Sequence, residues 1–211
     1  ALLEVGPLQL RGEAGFALVR STVDADTDAN GTADLLGASL TGLALDSSGL
    51  GVHIEGVATL TVAGKLAVAT LRPAELADAR SWFGLKMGEV TVAGALDPAL
   101  GLELSAEFSI GSLDYNSASE GALPMRRLDW TRAFDLDGDG ALDDVLDPGA
   151  LLPSPRALAI DFASSLELRL TGTLSGTGAT GDGLDDALLE VGPLQLRGEA
   201  GFALVRSTVD A

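Results

Sequence analysis

Asp135-Leu136-Asp137-Gly138-Asp139-Gly140-Ala141-Leu142-Asp143-Asp144 sets a carboxylate at every second residue of a glycine-rich stretch. That spacing suits a hard cation. Ca²⁺ gathers about six to eight oxygens at once, so a loop must wrap it with side chains from alternate residues. Asp135, Asp137 and Asp139 fill loop positions 1, 3 and 5, and Gly140 at position 6 permits the sharp turn. The Ala141 carbonyl would serve at position 7 and Asp143 at position 9. Position 12 holds Leu146 rather than Glu, so the closing ligand must come from Asp144, Asp147 or elsewhere.

The pattern occurs a second time in Asp26-Thr27-Asp28-Ala29-Asn30-Gly31-Thr32-Ala33-Asp34, with Asn at position 5 and Gly37 at position 12. Asp26, Asp28, Asn30, Thr32 and Asp34 are the candidate ligands there. No long helices flank either stretch, so both read as calcium loops of the EF-hand type without the EF-hand fold. A third acidic patch, Asp182-Gly183-Leu184-Asp185-Asp186, reads more simply as a solvated linker.

Other motifs carry less chemistry. Gly176-Thr177-Gly178-Ala179-Thr180-Gly181 matches G-x-G-x-x-G, but no helix pattern follows, and the neighbouring aspartates would repel a pyrophosphate. Asn30-Gly31-Thr32 is formally a glycosylation sequon inside the metal loop. His53, the single histidine, lies on the polar parity of a strand pattern with Glu55. It reads as a surface residue, because a triad with Ser47, Ser48 or Asp46 would need an oxyanion pocket that nothing indicates. Trp82 and Trp130 read as apolar anchors packed on a sheet rather than as sugar-stacking residues.

The elements that must position these loops are strands. Leu50, Val52, Ile54, Ala58, Leu60, Val62, Leu66 and Val68 share one parity, and His53, Glu55, Thr59, Thr61 and Lys65 the other. A period of two predicts one dry face and one wet face. One long strand and a hairpin turning at Ala63-Gly64 both satisfy it. The alternation recurs from Leu100 to Ile110 and from Leu166 to Leu174. Further strands are expected over Leu2 to Arg11, Phe16 to Val23, Leu85 to Val92 and Leu158 to Phe162. Pro73 to Trp82 predicts one short helix, with Pro in its first turn. The expected fold is mainly β, with antiparallel sheets in a sandwich- or solenoid-like unit.

The chain copies itself. Residues 1–25, ALLEVGPLQLRGEAGFALVRSTVDA, recur letter for letter as residues 187–211. Residues 1–186 therefore read as one tandem-repeat unit and 187–211 as the start of the next. Two copies cannot fill one slot in one core. Either successive units share a sheet, each copy at an equivalent place, or one copy is left without its partner and is disordered, loosely docked, or paired through its strand edge with a neighbouring molecule.

Composition narrows the partners. With 31 acidic against 13 basic residues the net charge is −18, which argues against nucleic acid and anionic membrane surfaces and for divalent cations. The chain has no Cys, so disulfides and thiolate metal sites are excluded. No uncharged apolar run reaches transmembrane length, and no signal peptide opens the sequence, as expected of an internal excerpt.

Arg80-Ser81-Trp82 with Leu85-Lys86 and Gly88, the alternating strands to Asn116, and then Asp129-Trp130 resemble a domain-sized repeat of very large bacterial proteins. The acidic loops are similar to those of giant calcium-dependent surface proteins and adhesins, including RTX-type ones. The RTX nonapeptide array itself is absent. The resemblance implies a secreted or surface-anchored modular protein whose repeats extend rather than catalyse. The partners it implies are neighbouring repeats of the same chain, with Ca²⁺ as the cofactor and an extracellular or cell-surface location. The alternatives are a multivalent glycan- or surface-binding module, a carboxylate-based hydrolase, and a lipid-binding groove lined by the Leu/Val strand faces.

Overall fold

The computed structural model describes residues 3–5, 8–54, 58–96, 103–176, 187–191 and 194–208. Its strands are β1 (Leu3–Val5), β2 (Leu8–Arg11), β3 (Ala14–Ala25), β4 (Leu35–Ile54), β5 (Ala58–Arg72), β6 (Arg80–Leu96) and β7 (Glu103–Glu120). After these come β8 (Leu123–Pro124), β9 (Leu166–Gly176), β10 (Ala187–Val191), β11 (Leu194–Arg197) and β12 (Glu199–Ser207). All belong to one antiparallel sheet. Across it the lanes run β3, β4, β5, β6, β7, β9, β12.

The fold is mainly β, as the period of two requires, and it differs from expectation in four places. The sheet is open and single, with neither a second sheet nor a solenoid coil among the described residues. The stretch from Leu50 to Val68 is neither one strand nor a hairpin turning at Ala63-Gly64. It spans the end of β4 and most of β5, with Ile54 opposite Ala58, and Ala63/Lys65 marks a register shift against β6. The helix expected from Pro73 to Trp82 is absent. Residues 73–79 form a tight turn with the Asp78 N–H donating to the Glu75 carbonyl, and Arg80 already opens β6. Trp82 decides this, since it buries fully opposite Leu71, a gain that outweighs the helix propensity of a segment only a few turns long. Leu158 to Phe162 is not a strand either, although it buries Leu158, Ile160 and Phe162 in alternation.

Those three residues belong to an irregular cap, residues 125–165, that lies over one face of the sheet. Leu128, Trp130, Phe134, Leu146 and Leu152 complete its buried side. Much of the floor beneath is made of small residues, Ala38 and Ala44 on β4, Ala67 and Ala69 on β5, Gly84 on β6, beside the taller row Leu40, Leu71 and Trp82. Short side chains let the tall cap residues reach the backbone. At Gly84 an added Cβ would stand 2.9 Å from Ile160 and 3.1 Å from the Trp130 ring. Asn116, fully buried on β7, ties the cap down: its amide donates to the Leu128 carbonyl (2.9 Å) and accepts from Trp130 Nε1 (3.1 Å). Trp82 Nε1 donates to the Arg126 carbonyl at 3.2 Å.

The opposite face carries the Leu/Val parity. Phe16, Leu45, Leu66, Met87, Leu113, Leu170 and Leu204 stand directly opposite one another across seven strands. Among the described residues no layer covers this row. Its ends are open, Phe16 being 70% and Leu204 52% exposed.

Candidate metal centres

The two acidic loops sit side by side at one margin of the cap. The first, residues 26–34, joins β3 to β4, and the second, residues 135–144, lies within the cap. Each leaves a buried residue and returns to it. The Asp34 N–H donates to the Ala25 carbonyl (3.0 Å), and the Asp144 N–H to the Phe134 carbonyl (3.1 Å). Ala25 and Phe134 bridge each other, and the Asp26 N–H donates to the Ala133 carbonyl at 3.0 Å. A short antiparallel ladder thus holds the loops together at their bases.

Within each loop the side chains repeat one wiring. The Asp26 carboxylate accepts from the N–H groups of Asp28 and Asn30 (both 3.2 Å) and Gly31 (2.7 Å). The Asp135 carboxylate accepts from Gly138 (2.7 Å) and Gly140 (2.9 Å). Asp28 accepts from the Asn30 N–H, and Asp137 from the Asp139 N–H. Asn30 Oδ1 accepts from the Thr32 N–H, and Asp139 from the Ala141 N–H. The position-6 glycines have φ of 87° at Gly31 and 92° at Gly140, a region that side-chain-bearing residues seldom enter.

This wiring gathers Asp26, Asp28 and Asp34 in one cluster and Asp135, Asp137 and Asp144 in the other, one carboxylate oxygen from each lying within 4.8 Å of the rest. The donors are all hard oxygens, the set that Ca²⁺ selects. Asp139 and Asp143 stand outside their cluster. Asn30, Thr32 and Ala141 sit in the loops at the places the pattern gives them. The closing carboxylate comes neither from position 12 nor from Asp147, which caps the turn Pro148–Leu151 by accepting from Gly149 and Leu158. It is Asp34 in the first loop, accepting from Thr27 N–H (2.6 Å) and Oγ1 (2.7 Å). In the second it is Asp144, accepting from the Leu136 (2.6 Å) and Asp137 (2.9 Å) N–H groups. The sequence carries a signal for both, since each is the last carboxylate before the chain rejoins buried structure.

Burial pushes the Asp26 carboxyl up, but N–H groups of Gly31, Ala29 and Asn30, with a hydrogen bond from Asp28, hold it below the ordinary carboxylate range. It is therefore ionised at neutral pH although only 1% exposed. An open cleft of about 1130 Å³ runs between the loops, lined by Asp24, Asp26, Asn30, Arg132, Asp135 and Leu146 among others. Arg132 is the cation there, 3.3 Å from Asp129.

The remaining candidates are placed elsewhere. His53 Nδ1 lies 2.9 Å from Thr59 Oγ1 across the β4–β5 ladder, and Asp46 pairs with Arg156 at 3.1 Å. Trp82 and Trp130 are both buried. The patch Asp182, Asp185 and Asp186 and the run from Thr177 to Gly181 lie outside the described residues, as does Glu55. No helix among the described residues is long and apolar enough to cross a membrane. Set against protein-family models, curated proteins and solved structures, the chain finds no match.

Proposed function

We propose that this chain is a structural, extending repeat of a giant secreted or surface-anchored bacterial protein, hardened by Ca²⁺ and spacing adhesive domains from the cell. The observation that carries the reading is the placement of the two identical segments. β3 and β12, cut from the same 25 letters, lie on opposite edges of one sheet, so the architecture has no natural end. The calcium part is supported by the twin loops, whose Asp26/Asp28/Asp34 and Asp135/Asp137/Asp144 clusters share one wiring and one base. Unscreened, six carboxylates at that margin repel one another, and a divalent ion in each loop would reverse the sign of the interaction.

Thermal unfolding with calcium or with chelator tests this. One occupied loop at a hundredfold excess over Kd adds about 2.7 kcal/mol. For a domain of this size that is a rise in Tm of roughly 5–10 °C. An unchanged Tm would remove calcium from the account. A second reading, a surface for apolar ligands such as lipid, is supported by the uncovered Leu/Val face; solvent extraction of the purified protein followed by mass spectrometry tests it.

A further inference from the structure

The two copies of the repeated segment are not equally satisfied, and the difference defines a docking site. β1 pairs with β2 through Leu3↔Leu10, Glu4↔Gln9 and Val5↔Leu8. β10 pairs with β11 in the same register, Leu189↔Leu196, Glu190↔Gln195 and Val191↔Leu194. β10 also pairs with the start of β7, and β9 pairs with the rest of β7, so β10 and β9 lie end to end in one lane. That lane runs alongside β11 and β12. In the first copy β1 holds the place of β10, and β4 lies on the other side of β2 and β3. Among the described residues the place of β9, beside β3, is open.

The two copies also face the same way. Val205 stands opposite Arg169, which stands opposite Asp114 and then Lys86, Ala67, Ala44 and Ala17 on the capped face. Val19, the equivalent of Val205, packs against the capped core from β3. Direction, face and edge all agree, so the edge that β12 gives to β9 is the edge that β3 leaves open.

An aromatic anchor marks the same difference. Phe202 lies over Gly172, where no room remains for a Cβ, and stacks on Phe108 with centroids 5.4 Å apart and planes 7° from parallel. It is half-buried. Phe16, the same residue in the first copy, is 70% exposed.

We propose that the free edge of β3 is a docking site for the β9 strand of another copy of this unit, and that β3 and β12 compete for one slot. The expected register is that of β9 with β12 moved by a period: Gly172 beside Phe16, Leu170 beside Leu18, Arg169 beside Val19. In a tandem array this makes the joint a continuation of the ladder. Between separate molecules it makes strand exchange, in which the β3 of one displaces the β12 of the next. The contact is head-to-tail and does not close, so it grows as an open filament. The array half rests on the tandem reading above; the exchange half does not require calcium.

Full-length Leu204→Pro/Val205→Pro tests it. Adjacent prolines remove N–H groups on both edges of β12, so one of them faces β9 whatever the parity. The expected result by sedimentation velocity is a shift from monomer to concentration-dependent multiples of the chain mass. A peptide of residues 1–25 should return these to peptide-bound monomer. Circular dichroism and fluorescence of the buried tryptophans report whether the variant folds. The wild-type chain and Phe202→Ala keep the test open if it does not. Labelled peptide should enter both, and loss of the stacked ring should raise the bound fraction roughly tenfold or more. Wild type and every folded variant staying monomeric and taking up no peptide would overturn the proposal. Strand exchange in a protein whose Tm ignores calcium would keep the joint and discard the metal.

Discussion

The sheet has two apolar faces that are built differently. The capped face is floored partly with Ala and Gly and partly with the row Leu40, Leu71 and Trp82, and is covered by Trp130, Phe134 and Ile160, all fully buried. The open face carries Leu45, Leu66, Met87, Leu113 and Leu170, and these are only half-buried. Coverage, rather than side-chain size, separates the two faces. A low floor brings a tall cap into van der Waals contact with the strands, whereas a row of leucines leaves a flat, water-facing stripe. What covers a face decides its contribution to stability, and hydrophobicity alone does not.

Substitutions on the two faces should separate accordingly. Trp130→Ala opens a large cavity and strands the buried Asn116 oxygen that the indole N–H now satisfies. A loss of about 3–5 kcal/mol is expected in chemical denaturation. Leu66→Thr with Met87→Thr, on the open face, keeps β propensity and should cost only about 1 kcal/mol in total. The same pair should lower the fluorescence of an apolar dye bound to the native protein. Equal destabilisation by both changes would mean that something covers the open face in solution. The smallest effect belongs to the turn that joins β5 and β6. The Arg80 side chain and N–H hold the Asp78 carboxyl below its ordinary range. A depressed carboxyl stabilises the fold above its unfolded value of about 3.9 and loses that contribution as pH falls through the lower, folded value. Asp78→Asn should remove this slight acid dependence from a Tm-versus-pH series, lowering Tm a little above pH 5 and leaving it unchanged where the carboxyl is already protonated.

Much of this was legible in the residues. Period-two runs mark the strands from Leu50 to Val68 and from Leu100 to Ile110, the latter described from residue 103 onward, because alternate side chains must leave opposite sides of a pleated chain. The acidic loops are legible because Asp at alternate positions with Gly at the sixth has few other uses. The coverage of the sheet was not. Alternation shows which residues share a face, but the cap is irregular chain, held by Asn116 and by carbonyls such as Leu128, and such bonds leave no periodic trace. The turn at residues 73–79 was misread because local propensity favours helix while the burial of Trp82, a long-range gain, favours a strand. The closing carboxylates Asp34 and Asp144 fall at loop positions 9 and 10, so neither stands at position 12, where the template puts its closing residue.

The order of the lanes has a bearing on how the molecule assembles. From β3 to β7 every strand lies against its predecessor in the chain, so each addition closes only a short loop on an edge already laid down. β9 is the exception. It reaches β7 only across residues 125–165, and its Arg169 must find the buried Asp114. The lanes from β3 to β7 therefore pair through local contacts, and the β7–β9 pairing is the one that spans the cap. Once β9 is in place, its outer edge is the template on which β12, the second copy of the opening segment, pairs.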